Sequence, residues 1–261
     1  MKIEQIESML IGNGFVVRIT TDTGISGVGQ TACWGYPAAV ESIVEVYKEY
    51  LIGQNPMRIE HHWQHLYRMA PFRGTVIMGA VSAIDIALWD IKGKHFDVPV
   101  WELLGGNVRD KIRLHLLSGG ATPEANFKAA KAAVEDGFTA VKFDPLPSGY
   151  QDMAQARLIQ TAVDITAAAR EAGGPDLDLI IELHRKLTPM VAIDLVEALK
   201  PFHILFVEDP IQIDSISTQA HIAAKSSVPY GNGERFVSIW EFRELLEQGG
   251  PQYVRPDVAL A

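Results

Sequence analysis

From residue 112 onward one pattern repeats: an apolar strand, an amphipathic helix, then another strand. RLHLLSG reads as a strand and PEANFKAAKAAVEDG as a helix closed by Gly137. TAVKFDP is followed by DMAQARLIQTAVDITAAAREAGG, LDLIIELH by PMVAIDLVEALKP, HILFVEDP by a helix near 214–225, and VPYGNGE by SIWEFRELLEQGG. PQYVRPDVALA opens a sixth strand. Strands this uniformly apolar need cover on both faces, and helices between them supply it, so the repeat predicts a parallel sheet. An open doubly wound sheet and a closed barrel of the TIM type both satisfy it.

The first third follows another rule. MKIEQIESML and GFVVRITTD are β-rich, and TDTGISGVGQ carries the glycines of a hairpin, so residues 1 to about 30 predict antiparallel strands. Gly24, Gly27 and Gly29 do not make a dinucleotide loop, because no βαβ unit surrounds them. Helical spacing then marks 37–52 and 78–95. A net charge of −9 with no strongly basic stretch argues against a nucleic-acid partner. No apolar run reaches membrane-spanning length, and MKIEQIESML lacks the apolar core of a signal peptide. The single cysteine, Cys33, leaves no intrachain disulfide framework. Together these predict a cytoplasmic protein with no membrane partner.

Three of the predicted strands end in a carboxylate. Glu182, Glu208 and Glu234 are equally spaced, 208 − 182 = 26 and 234 − 208 = 26, about one βα unit. The spacing predicts three neighbouring strands offering a glutamate at the same height, at the strand ends where barrel active sites form. Converging carboxylates repel one another and lose hydration unless a cation sits among them, and hard oxygen donors favour Mg²⁺. Zinc fits less well, since Cys33 is far away in sequence and His184 is the one imidazole nearby. Glu182 and His184 stand two apart in one strand, so alternation predicts that both face the same site.

These residues sit in stretches with a familiar form. MGAVSAIDIALWDIKGKHFDVPVWELLGG (78–106), LFVEDP (205–210), GNGERF (231–236) and VRPDVALA (254–261) resemble the mandelate racemase/muconate lactonizing branch of the enolase superfamily. ELH followed by RKLTP resembles its galactonate, gluconate and mannonate-type sugar-acid dehydratases. The resemblance implies an N-terminal α+β capping domain over residues 1–111 and a modified TIM-type (β/α) barrel over 112–261. It implies removal of the proton beside a substrate carboxylate, an enediolate held by Mg²⁺, then loss of the 3-hydroxyl. By position Glu182, Glu208 and Glu234 match its metal ligands and His184 the acid on the leaving hydroxyl. Lys142 matches a lysine beside the substrate carboxylate, and Asp257 an aspartate that orients a strand-seven histidine. Family members also assemble as homo-oligomers.

The chain departs from the family in three places. Glutamate stands at 182 where the family has aspartate. Strand two reads Lys142-Phe143-Asp144 in place of Lys-x-Lys, which argues against two-base racemisation and leaves Asp144 for substrate hydroxyls. Eight βα units take roughly 225–250 residues, whereas about 150 follow residue 111. The expectation is a barrel truncated after strand six, with strands seven and eight and the proton-abstracting histidine outside these residues. Loops 31–37 and 69–76 are the candidate specificity segments, with Trp34, Tyr36 and Arg73 as substrate contacts. The leading expectation is thus a Mg²⁺-dependent sugar-acid dehydratase. The alternatives are a racemase, epimerase or lactone cycloisomerase of the same superfamily, a catalytically inactive barrel, or a nucleotide-binding open sheet.

Overall fold

The computed structural model describes residues 1–33 and 35–260. They form two compact units: 1–110 with 234–239 and 256–261, and 111–233 with 240–255.

The first unit contains an antiparallel sheet in the order β1 (Ile3–Ile11), β2 (Gly14–Thr21), β3 (Ser26–Thr31). Alternation decides its faces: Phe15, Val17, Ile19 and Thr21 are buried along β2 while their neighbours are more exposed. Three helices follow, α1 (Pro37–Leu51), α2 (Ile59–Arg68) and α3 (Thr75–Phe96). The expectation included α1 and α3 but not α2, whose buried positions are Ile59, His62, Leu66 and Tyr67. His62 is structural there: one ring nitrogen pairs with the Asn55 carbonyl at 2.8 Å and the other with the Tyr50 hydroxyl at 3.0 Å. A single short turn, α4 (Val100–Leu103), follows α3.

α3 lies directly on β3, and Gly27 and Gly29 permit it. A Cβ at Gly29 would stand 1.9 Å from the Ala83 carbonyl oxygen, and one at Gly27 would stand 2.1 Å from that of Ala87. α3 also satisfies the sheet edge. The Asp90 carboxylate accepts from the Val28 N–H at 2.9 Å, and Lys94 donates to the Ser26 carbonyl at 2.8 Å.

The second unit contains a parallel sheet in strict sequence order: β4 (Leu116–Leu117), β5 (Ala140–Phe143), β6 (Asp178–Glu182), β7 (Phe206–Glu208), β8 (Tyr230–Asn232), β9 (Tyr253–Val254). α5 (Pro123–Glu135), α6 (Gln155–Gly173), α7 (Pro189–Leu199), α8 (Ile216–Lys225) and α9 (Ile239–Glu247) alternate with them. Two of the predicted strands shrink. RLHLLSG has its ladder partners at Leu116 and Leu117, and the sixth strand at Tyr253 and Val254. In β6, Leu179, Ile180 and Ile181 are all buried, as a parallel strand covered on both faces requires. Arg170 ties the end of α6 to the entry of β6. Its guanidinium donates to the carbonyls of Gly174 (2.6 Å), Leu177 (2.7 Å) and Phe202 (3.0 Å). Among the described residues no helix is long and apolar enough to cross a membrane.

The β3–α3 contact is backbone against backbone, so a side chain there has nowhere to go. Gly29→Ala is expected to destabilise the protein by about 2–3 kcal/mol, read as a lower urea midpoint with an unchanged slope.

Candidate metal and proton-transfer site

Register places the first two glutamates side by side. Glu182 ends β6, Glu208 ends β7, and the two are ladder partners. Both are buried, at 1% and 0% exposure. Glu234 is not at the same height, contrary to what its equal spacing suggested. Glu208 pairs with Gly231, so Glu234 lies three residues further along its own strand direction. Ladder register is set by packing and hydrogen bonding, not by the length of the intervening helix. Glu234 follows Gly233, which has φ +122, and a Cβ at Gly233 would stand 2.4 Å from the Phe242 ring. Beyond that turn Glu234 still reaches the other two. One carboxylate oxygen from each of Glu182, Glu208 and Glu234 lies within 4.8 Å of the others.

Basic groups hold this negative charge together. Lys142, in β5, donates from Nζ to Glu182 Oε2 at 2.9 Å and to Glu208 Oε2 at 3.1 Å. Lys142 is itself only 7% exposed. Arg255, just past β9, donates from Nε to Glu208 Oε1 at 3.2 Å, and Arg235 lies 3.2 Å from Glu234 Oε1. Burial, and then the charge of Glu182, push the Glu208 carboxyl up to about 7, while Lys142 and Arg255 pull the other way. Arg255 is a contact the sequence reading passed over. It stands two residues before Asp257 in the VRPDVALA stretch, but a strand that short gives little sign of which way its end points.

The segment after Glu182 does not continue as a strand. His184 (φ +49) and Arg185 (φ +62) are left-handed, so strand alternation is not what relates His184 to Glu182. Hydrogen bonds offset the strain of two such residues in a row. The His184 N–H donates to Glu182 Oε1 at 2.8 Å, and the Arg185 N–H to the Asp209 carbonyl at 2.7 Å. Arg185 Nη1 adds a 2.9 Å bond to the buried Asp209 carboxylate. The extra methylene of a glutamate at 182 thus curls its carboxylate back onto its own chain two residues on. The turn aims the His184 ring at β5: Nδ1 lies 2.9 Å from Asp144 Oδ2, and Lys186 pairs with the same oxygen.

The remaining candidates have contacts of their own. Asp257 accepts from the Ala259 N–H at 2.9 Å. Tyr36 is exposed, and the Arg73 guanidinium lies 4.6 Å from the centre of the Tyr67 ring. Trp34 lies outside the described residues.

A parallel α/β sheet with carboxylates gathered at its strand ends defines the class, and comparison with known proteins defines the family. Residues 126–261 match the enolase C-terminal domain-like model. Residues 7–105 match that of the mandelate racemase/muconate lactonizing enzyme N-terminal domain. The chain belongs to this family. It is 37% identical over 249 residues to a D-galactonate dehydratase of Klebsiella pneumoniae, covering 94% of this chain and 64% of that protein. The D-galactonate dehydratase of Variovorax paradoxus is 36% identical, covering 100% and 69%. A solved enolase-superfamily structure from Salmonella Typhimurium superposes with a TM-score of 0.93 at 29% identity, covering 99% and 74%.

Glu208 gives a test of the electrostatics in metal-free protein. Its folded pKa is raised, so its contribution to stability is fully present below about 4.5 and lost as pH rises through about 7. With chelator present, the thermal midpoint is expected to fall between pH 5 and 8, and Glu208→Gln to flatten that fall. The difference at pH 8 is on the order of 2 kcal/mol.

Proposed function

We propose that the protein is a Mg²⁺-dependent sugar-acid dehydratase, with residues 1–111 and 112–261 as its two domains. The convergence of Glu182, Glu208 and Glu234 carries the reading. Three carboxylates drawn that close, two of them buried and one protonating near neutrality without a metal, suit a small hard cation better than any other occupant. When bound, Mg²⁺ would hold a substrate carboxylate and stabilise the negative charge that develops beside it.

The chain's own residues account for the rest. Glu182, Glu208 and Glu234 are the proposed ligands. Lys142, with its ammonium against two of them, adds positive charge where a substrate carboxylate would approach. His184, with a side chain 45% exposed beside these buried groups, is positioned to pass a ring proton to a departing hydroxyl. The net reaction moves the C2 proton to a base, proposed to be the histidine that Asp257 orients, and releases the 3-hydroxyl as water with the proton from His184. The resulting enol tautomerises to a 2-keto-3-deoxy acid. Asp257 is proposed to orient a histidine partner, and Trp34, Tyr36 and Arg73 to contact substrate hydroxyls. The named relatives make galactonate the first substrate to try.

Proton NMR in D₂O with Mg²⁺ and a panel of sugar acids tests this. The expected result is a new C3 methylene signal carrying one deuterium. Loss of the C2 proton signal with no loss of water would overturn dehydration in favour of an epimerase or racemase. His184→Asn is expected to lower dehydration by at least ~100-fold.

A further inference from the structure

Asp144 was expected to meet substrate hydroxyls, but its carboxylate is occupied on both sides by the chain itself. Oδ1 accepts from the Leu146 N–H at 2.9 Å. Oδ2 meets both His184 Nδ1, at 2.9 Å, and Lys186 Nζ. Lys186 is in turn set against the Tyr150 ring, 5.6 Å from its centre. Asp144 itself is largely covered, with a side chain 21% exposed, whereas the ring it holds is 45% exposed. A carboxylate fixed by a backbone N–H and a lysine, bonded to one nitrogen of an accessible imidazole, leaves the other nitrogen for proton exchange.

We propose that Asp144 is a positioning residue for His184. It holds Nδ1–H, so that Nε2 is the atom that exchanges the proton, and Lys186 and the Leu146 N–H keep its carboxylate in place. A hydrogen bond to one ring nitrogen selects the tautomer and aims the other. The left-handed turn at His184 and Arg185 serves the same end, since it directs the ring toward β5. The part played by Nε2 rests on the dehydratase reading; the Asp144–His184 pairing does not.

The test is ¹⁵N-histidine NMR of the full chain with the ring signals of His184 identified by their loss in His184→Gln. Neutral His184 in the unmutated protein is expected in the Nδ1–H form. Asp144→Ala should shift it toward Nε2–H, and Lys186→Met should leave the tautomer in place. Predominant Nε2–H in the unmutated protein would overturn the proposal, whether or not any variant folds. With a turned-over sugar acid, Asp144→Ala should lower kcat ~10–100-fold with KM and the Mg²⁺-induced thermal shift unchanged, and Asp144→Glu should recover part of the loss. A rise in KM at constant kcat would instead mean substrate contact and would also overturn it. If no sugar acid is turned over while the Nδ1–H form is found, the pairing stands and the dehydratase reading fails.

Discussion

The buried contact of Lys142 with Glu182 and Glu208 is the interaction on which the arrangement of the strand ends in the second unit depends. Two carboxylates at adjacent ladder positions, with no access to water, cannot both be charged without compensation. The sheet answers by bringing a lysine from the next strand to within 2.9 and 3.1 Å and an arginine from just past β9 to within 3.2 Å. Such an arrangement adds little to stability over an apolar core of the same size. Its presence at the ends of otherwise apolar strands therefore points to a use other than holding the fold.

The same strand ends also support a second, more exposed layer. Glu182 is the link: one oxygen takes Lys142 and the other takes the His184 N–H. The carboxylate that belongs to the buried cluster thus also fixes the left-handed turn that presents the imidazole. Asp144, one residue beyond the end of β5, meets that imidazole from the neighbouring strand. The buried carboxylate cluster and the exposed imidazole thus meet in one short stretch, residues 182–184, and a change at Glu182 would disturb both.

Much of this was legible in the sequence, and what was not has a physical reason. Apolar runs separated by helical repeats gave the parallel sheet, because burial on both faces leaves an unmistakable composition. Glu182, Glu208, Glu234 and Lys142 could be named because each closes or crowns such a run. Register could not be read: equal spacing implied equal height, yet Glu234 sits three residues past the partner of Glu208. The turn at His184 and Arg185 was hidden because neither residue is a glycine or asparagine that would advertise positive φ. α2 escaped because three of its ten residues are histidines, and the burial of His62 depends on Tyr50 and Asn55, which lie elsewhere in the chain. The pairing of Asp144 with His184 joins residues 40 apart, and only the fold brings them together.

The central claim is that Glu182, Glu208 and Glu234 form one divalent-cation site. Calorimetric titration of Mg²⁺ into chelator-treated protein addresses it without reference to any substrate. The account predicts one ion per chain and loss of that binding in Glu208→Gln. Unchanged Mg²⁺ binding in Glu208→Gln would contradict it.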